Sequence, residues 1–148
     1  MSDTSWIAGL MRHNYEAVGF LPLSALDRQY IANDRYIIQS HENGNRVGYL
    51  LHGKPTAGGI LSVAQHCIED DKRLNGYGQQ AFEALLERAR QANCRAIKVR
   101  CAQGLPSNDF WRRMGLAVTR IDRTENARRR AVNVMLLDLY PGLWERVE

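Results

Sequence analysis

At 148 residues, 45% of them hydrophobic and 24% charged, the chain has the make-up of one soluble globular domain, residues 1–148, long enough to bury a core of its own. No apolar run approaches the roughly 20 residues of a membrane span, and the opening Met-Ser-Asp-Thr-Ser-Trp lacks the basic-then-apolar pattern of a signal peptide. A cytoplasmic location without a membrane partner is therefore expected, and the net charge of +4 with a pI of about 9.2 permits an anionic partner without demanding one.

Trp6, Ile7, Leu10, Met11 and Tyr15 recur at helical spacing, which predicts a first helix over 5–16, broken at Gly19-Phe-Leu-Pro22. Ser24 is placed to cap a second short helix to about Ala32, carrying Leu26, Tyr30 and Ile31. Tyr36–Ser40 and Val47–Leu51 read as strands. The link between them contains Asn43-Gly44, a hairpin signal because both residues accept positive φ. After the loop Lys54–Gly59, Ile60–Ile68 is almost free of charge, as expected of a strand covered on both faces.

The chain is organised around the segment that leaves this strand. Glu69-Asp-Asp-Lys-Arg-Leu-Asn-Gly-Tyr-Gly78 reads as a charged turn entering a helix from Gly78 to about Ala92, with Ala81, Phe82, Leu85, Leu86 and Ala89 on one face. A strand feeding a helix through Arg73-x-x-Gly76-x-Gly78 points backbone N–H groups and a positive helix end outward, which suits a phosphate or pyrophosphate. No Lys-Ser/Thr comes after Gly78, so this is not a Walker A loop. The third glycine of the dinucleotide fingerprint is also missing. A tight turn before an ordinary helix is the competing reading.

Asn93 is able to take a left-handed cap at the helix end. Ala96–Ala102 alternates, with Ile97, Val99 and Cys101 one way and Lys98 and Arg100 the other. Ser107 or Asn108 is expected to cap a short helix from Asp109 to Met114, stopped by Gly115. Leu116–Ile121 and Ala131–Tyr140 form a last antiparallel pair around a basic tip, Arg120 to Arg130. Val132–Leu139 could lie at a sheet edge and pair with a second copy, giving a homodimer. The strand–helix–strand unit from Ile60 to Ala102 predicts a right-handed crossover between parallel neighbours. The whole is an α/β fold with a mixed sheet and helices on both faces. Cys67, Cys94 and Cys101 lack metal-ligand spacing and read as buried free thiols, and His13, His41, His52 and His66 are scattered, so no metal is expected.

Three separated pieces resemble the GCN5-related N-acetyltransferase (GNAT) superfamily in the right order: the strand with Arg73-x-x-Gly76-x-Gly78, the strand Ile97–Ala102, and Ser107-Asn-Asp-Phe-Trp-Arg-Arg-Met-Gly-Leu116. The resemblance covers roughly residues 47–140, with the amino-terminal helices fitting loosely. It implies a fold in which Ile60–Ile68 and the next strand splay apart and an acyl-CoA, acetyl-CoA above all, lays its pantetheine arm between them. It also implies that the backbone around Cys67, Ile68 and Asp70 bonds the arm. The N–H groups of Leu74, Asn75, Gly76, Tyr77, Gly78 and Gln79 would hold the pyrophosphate beside Arg73. Asn108, Phe110 and Trp111 would face the arm and thioester sulfur. The acceptor, an amine of a metabolite or protein, attacks the thioester directly.

The sequence departs from the family pattern in places. Trp111 stands where a tyrosine usually protonates the leaving thiolate. Ser62 and Ala64 stand where many members keep a base, and Leu74 replaces a usual glycine. His66 and Ser62 are the remaining catalytic candidates, His66 having a structural histidine as its alternative. Two other readings stand beside amine acylation. One is acyl-CoA-dependent modification of a DNA or RNA base, from the basic tip and a looser similarity to small phage-type members such as the Mom-type DNA modification enzymes. The other is an inactive GNAT-like binding module.

Overall fold

The computed structural model describes residues 1–73, 75–123 and 131–140. Leu74 and the Arg128–Arg130 part of the basic tip lie outside these residues. The elements are α1 (Asp3–His13), α2 (Tyr15–Val18), α3 (Leu23–Ala25, continuing as a π-helical turn over Leu26–Ile31), β1 (Tyr36–Ser40), β2 (Arg46–His52), β3 (Ile60–Ile68), α4 (Tyr77–Gln91), β4 (Ala96–Ala102), α5 (Ser107–Arg113), β5 (Ala117–Asp122) and β6 (Val132–Asp138). The sheet is six-stranded and mixed, in the order β1-β2-β3-β4-β6-β5, and is flanked by helices. The chain gathers into two compact units, one of Met1–Lys54 with Val63–Leu85, the other of Pro55–Ser62 with the chain from Leu86 on.

In the first unit, alternation along β2 and β3 sends Tyr49, Leu51 and Cys67 to one face, with Tyr49 paired across to Cys67. That face packs with Ile7, Met11 and Leu26 of the amino-terminal helices, and Trp6, Tyr30, Tyr36 and Ile38 close around it. The Tyr49 hydroxyl, fully buried there, donates to Gln65 Oε1 (3.0 Å), and Gln65 Nε2 donates to the Gly19 carbonyl (3.5 Å). The buried phenol thus has the partner that burial requires.

In the second unit, β4 pairs antiparallel with β6 along its whole length, and β5 pairs with the other side of β6. The first residues of β3 belong here too: the Arg95 and Ala96 N–H groups donate to the Gly59 carbonyl (2.7 and 3.3 Å). Ile97, Val99 and Cys101 are buried while Arg100 is exposed, as the alternation of β4 predicts. Asn93 takes φ 58° at the end of α4, the left-handed cap expected of it. Gly115 takes φ 100° after α5, ending that helix.

Four local expectations are corrected. Ser24 falls inside α3, and Pro22 occupies the N-cap without a side-chain bond, its ring already fixing φ at −58°. Asn43 does not take positive φ. Gly44 alone does, at φ 88°, and its N–H donates to the His41 carbonyl (2.8 Å). One left-handed residue after an ordinary turn closes this hairpin. Neither Ser107 nor Asn108 caps α5: the N-cap is Pro106, and the Asn108 amide turns inward. Finally, Val132–Leu139 is no edge, because β6 lies between β4 and β5. The edge of this unit is β5.

Candidate functional site

The turn after β3 is built by the residues the sequence singles out. Ile68 ends the strand, Asp70–Lys72 make one 3-10 turn, and Gly76 at φ 83° redirects the chain into α4. The Gly76 carbonyl accepts the Gln80 N–H (3.1 Å) and so opens the helix. In this first turn of α4, the N–H groups of Tyr77, Gly78 and Gln79 have no acceptor within the helix, and the dipole of a fifteen-residue helix stands behind them. Asn75 and Gly76 are exposed, and a Cβ built on Gly76 would meet nothing within 4 Å.

Arg73 is tied into the turn rather than loose beside it. Its Nε donates to the Ile68 carbonyl (3.1 Å), its Nη2 to Asn14 Oδ1 (3.0 Å), and its Nη1 pairs with the exposed Asp70 carboxylate (2.9 Å). Asn14 in turn donates to the Leu10 carbonyl (3.0 Å) at the end of α1. The guanidinium therefore fixes the strand end and the α1 terminus together. Its bond to the solvent-exposed Asp70 is the one an incoming anion most easily replaces.

Along β3 the candidate side chains part company. Cys67 and Ile68 are buried, and burial pushes the Cys67 thiol up to about 11, a shift that Arg73 partly opposes. It is not a thiolate nucleophile at neutral pH. His66 is half-buried, and burial pushes it down to about 4, so its ring is neutral at pH 7. The Gln39 amide lies 3.4 Å from His66 Nε2. Ser62 is half-buried further down the strand. The pairing of β2 with β3 slips between Leu51 and His52: Leu51 faces Gln65 and His52 faces Val63. Ala64 is the extra residue, exposed within a strand whose carboxyl-terminal end is buried. Such a bulge turns backbone groups away from the ladder.

The second unit holds the remaining candidates. Asn108 is buried, and its Nδ2 donates to the Ala102 and Leu105 carbonyls (2.9 Å each). Its Oδ1 accepts from Asn133 Nδ2 (2.9 Å), and Asn133 Oδ1 accepts from Gln103 Nε2 (3.1 Å). Expected to face a bound arm, Asn108 spends both amide hydrogens on fixing the turn between β4 and α5. Trp111 is buried, edge-on to the half-buried Phe110 with ring centroids 4.8 Å apart. The three cysteines are free thiols, all buried. Among the described residues, no group of three or more His, Cys, Asp or Glu is placed to hold a metal ion, and no helix is long and apolar enough to cross a membrane.

Two features of the site have no mark in the sequence. The bulge at Ala64 carries no residue signature, since its cause is a register slip against β2. The Asn14–Arg73 bond joins positions far apart in the chain, and no local pattern announces it.

A six-stranded mixed sheet flanked by helices, its third strand leading through a glycine turn into a long helix, is the fold of the GNAT family. The Acetyltransferase (GNAT) family model matches residues 3–116, and the chain belongs to that family. The match takes in the amino-terminal helices, beyond the 47–140 core that the motifs mark out. Among solved structures the chain is similar to Ard1 from Thermoplasma volcanium (TM-score 0.79, 13% identity, 93% of this chain and 92% of that one). It is similar also to Rv2747 from Mycobacterium tuberculosis, solved with CoA and NLQ (TM-score 0.75, 16% identity, 93% and 95%). A third is the ribosomal-protein-S18-alanine N-acetyltransferase from Escherichia coli (TM-score 0.70, 14% identity, 93% and 90%). No curated protein sequence matches the chain.

Proposed function

We propose that this chain transfers an acyl group, most simply acetyl, from acyl-CoA to an amine by direct attack on the thioester. The observation that carries the reading is the open amino-terminal end of α4 at Gly76, with Arg73 fixed beside it. The N–H groups of Tyr77, Gly78 and Gln79 hold the pyrophosphate, and Arg73 exchanges Asp70 for a phosphate oxygen. Backbone groups of Cys67, Ile68 and Asp70 bond the pantetheine arm. The CoA-bound neighbours, Rv2747 among them, support a CoA-type donor.

The amine nitrogen attacks the thioester carbonyl carbon, and the carbonyl oxygen takes the negative charge. A backbone N–H freed from the ladder at the Ala64 bulge receives it. Collapse breaks the carbon–sulfur bond, leaving the amide and the CoA thiolate, while the amine proton passes to water. His66, with a pKa of about 4, is too weak a base to take that proton efficiently, and the Trp111 indole is no acid. The acceptor amine must therefore arrive neutral.

Calorimetric titration with acetyl-CoA tests the donor site. Binding is expected, with affinity falling about tenfold or more in Arg73→Ala, as for loss of a charge-assisted bond to an anion. It should fall further in Gly76→Glu, where a carboxylate and a side chain at positive φ both oppose the anion. Absence of binding, or unchanged affinity in both variants, overturns the assignment.

A further inference from the structure

A cavity of about 440 Å³ opens within the first unit, between the start of α1, the β1–β2 hairpin and the end of β3 at Glu69. Its volume is that of a small-molecule site, and neither Arg73 nor any residue from Gly76 to Gln79 lines it. The hairpin wall is built in advance. The His41 N–H donates to the Asn45 carbonyl (2.7 Å), the Asn45 N–H to Asn43 Oδ1 (3.0 Å), and the Asn43 N–H to His41 Nδ1 (3.3 Å). The apolar wall is the half-buried Trp6 with the buried Val47.

The charges around this space do not satisfy one another. Glu69 is half-buried, and its N–H donates to the Val47 carbonyl (2.8 Å). Among the described residues, however, its carboxylate makes no ion pair and accepts no hydrogen bond. Arg46 adjoins Val47 and so stands near Glu69 across the two strands, but it is turned to α1. Its Nε donates to Asp3 Oδ1 (2.9 Å) and its Nη2 to the Met1 carbonyl (2.9 Å), which leaves Nη1 to spare. Lys72 Nζ has Asp71 at 3.8 Å, too far for a hydrogen bond. One carboxylate and two cations therefore line a single cavity with bonding capacity unused. A simple anion would suit Arg46 and Lys72 but be repelled by Glu69, and a simple amine would meet the converse. A ligand carrying both charges close together, with an apolar group for Trp6, answers all three.

We propose that this cavity binds a free α-amino acid with an apolar or aromatic side chain. Its carboxylate meets Arg46 Nη1 and Lys72, its ammonium meets Glu69, and its side chain lies against Trp6 and Val47. The two charges of an α-amino acid are near enough to each other for a pair of adjacent strands to hold. This is a second ligand and not the amine that is acylated. On the acyl-transfer reading above, the thioester carbonyl meets the Ala64 bulge, and Glu69 lies roughly 15 Å further along at the rise of a strand. The cavity itself involves no residue of the donor site, so the proposal does not depend on that reading.

Calorimetric titration with L-phenylalanine is the test, beside 3-phenylpropanoate, which lacks the ammonium, and L-phenylalaninamide, which lacks the carboxylate. Saturable binding of phenylalanine is expected, weaker by about tenfold or more for each analogue, as for loss of a charge-assisted contact. Glu69→Gln should bind 3-phenylpropanoate at least as tightly as the wild type does while losing the preference for phenylalanine over it. Retained binding of that analogue shows the cavity to be folded, so the lost preference belongs to the missing carboxylate. Lys72→Met should weaken phenylalanine and leave the amide unchanged. Saturating acetyl-CoA should not displace phenylalanine. Absence of saturable phenylalanine binding overturns the proposal. So does equal affinity for all three probes, a preference that survives Glu69→Gln, or displacement by acetyl-CoA, which would assign the cavity to the donor site. A protein that binds phenylalanine but no acetyl-CoA would refute the donor site alone.

Discussion

Gly48 shows how a single missing Cβ sets the first unit's packing. A methyl there would meet the Ile68 side chain and, at 2.8 Å, the Cys67 carbonyl, with Gln39 Oε1 at 3.1 Å. Backbone on one side and a packed side chain on the other leave no easy relaxation. Gly48→Ala is therefore expected to destabilise by about 1–3 kcal/mol, as overpacking does, read as a lower urea midpoint at constant slope. His66 lies on the neighbouring strand and adds a pH dependence. Its pKa falls from 6.5 to about 4 on folding, so the unfolded chain binds the proton more readily. Its stabilising share is complete above about 6.5 and is lost as pH falls through about 4. Urea midpoints compared between about pH 7 and about pH 4.5 should drop less in His66→Asn than in the wild type. An equal drop would remove His66 as the source. The same residue has no part in the proposed acyl transfer, and a His66→Asn variant is expected to keep most of that activity.

At the scale of elements, the short helix α5 is held by side chains rather than by a cap. Gln103, Asn108 and Asn133 form one amide chain from β6 to the turn that precedes the helix. Asn133→Ala strands the Asn108 carbonyl oxygen, and a loss of about 1–3 kcal/mol is expected. Combined with Asn108→Ala, the losses should fall short of their sum in a double-mutant cycle, because the two residues share one network. Strict additivity would show them to act separately. This network also marks where sequence patterns stop informing. Alternation makes β4 legible, because each of its faces has one kind of neighbour, and Gly76, Asn93 and Gly115 announce their turns through a φ that few other residues tolerate. Asn108 is ambiguous because an asparagine before a helix is equally a cap, a ligand contact or a buried bridge, and only Asn133, far along the chain, decides among them. The position of β6 inside the sheet is likewise invisible: hairpin partners look alike in sequence, and which of the two meets β4 is settled by long-range pairing. The bulge at Ala64 and the Asn14–Arg73 bond belong to the same class.

For the whole molecule the question is what a net charge of +4 is for. Part of the exposed positive charge on the second unit is answered at short range: Arg112 by Asp109, and Arg100 and Arg120 by Asp122. Exposed pairs of this kind are weak, and they do not cancel the field at a distance. The proposed acyl-CoA donor carries several phosphate charges, so its affinity should fall as salt rises, and most steeply at low ionic strength. If that field extends to polyanions in general, duplex DNA is attracted without regard to its sequence. Retention on DNA is accordingly expected at low salt, with the logarithm of the binding constant falling linearly against that of salt, by about 0.9 per phosphate neutralised. It should be indifferent to sequence and absent at physiological ionic strength. Charge reversal at Arg128, Arg129 and Arg130 then changes the slope by no more than the phosphates those residues reach. Retention that survives physiological salt and prefers particular sequences would contradict a purely long-range attraction. It would favour a nucleic-acid base, in place of a free or protein-borne amine, as the group that meets the thioester.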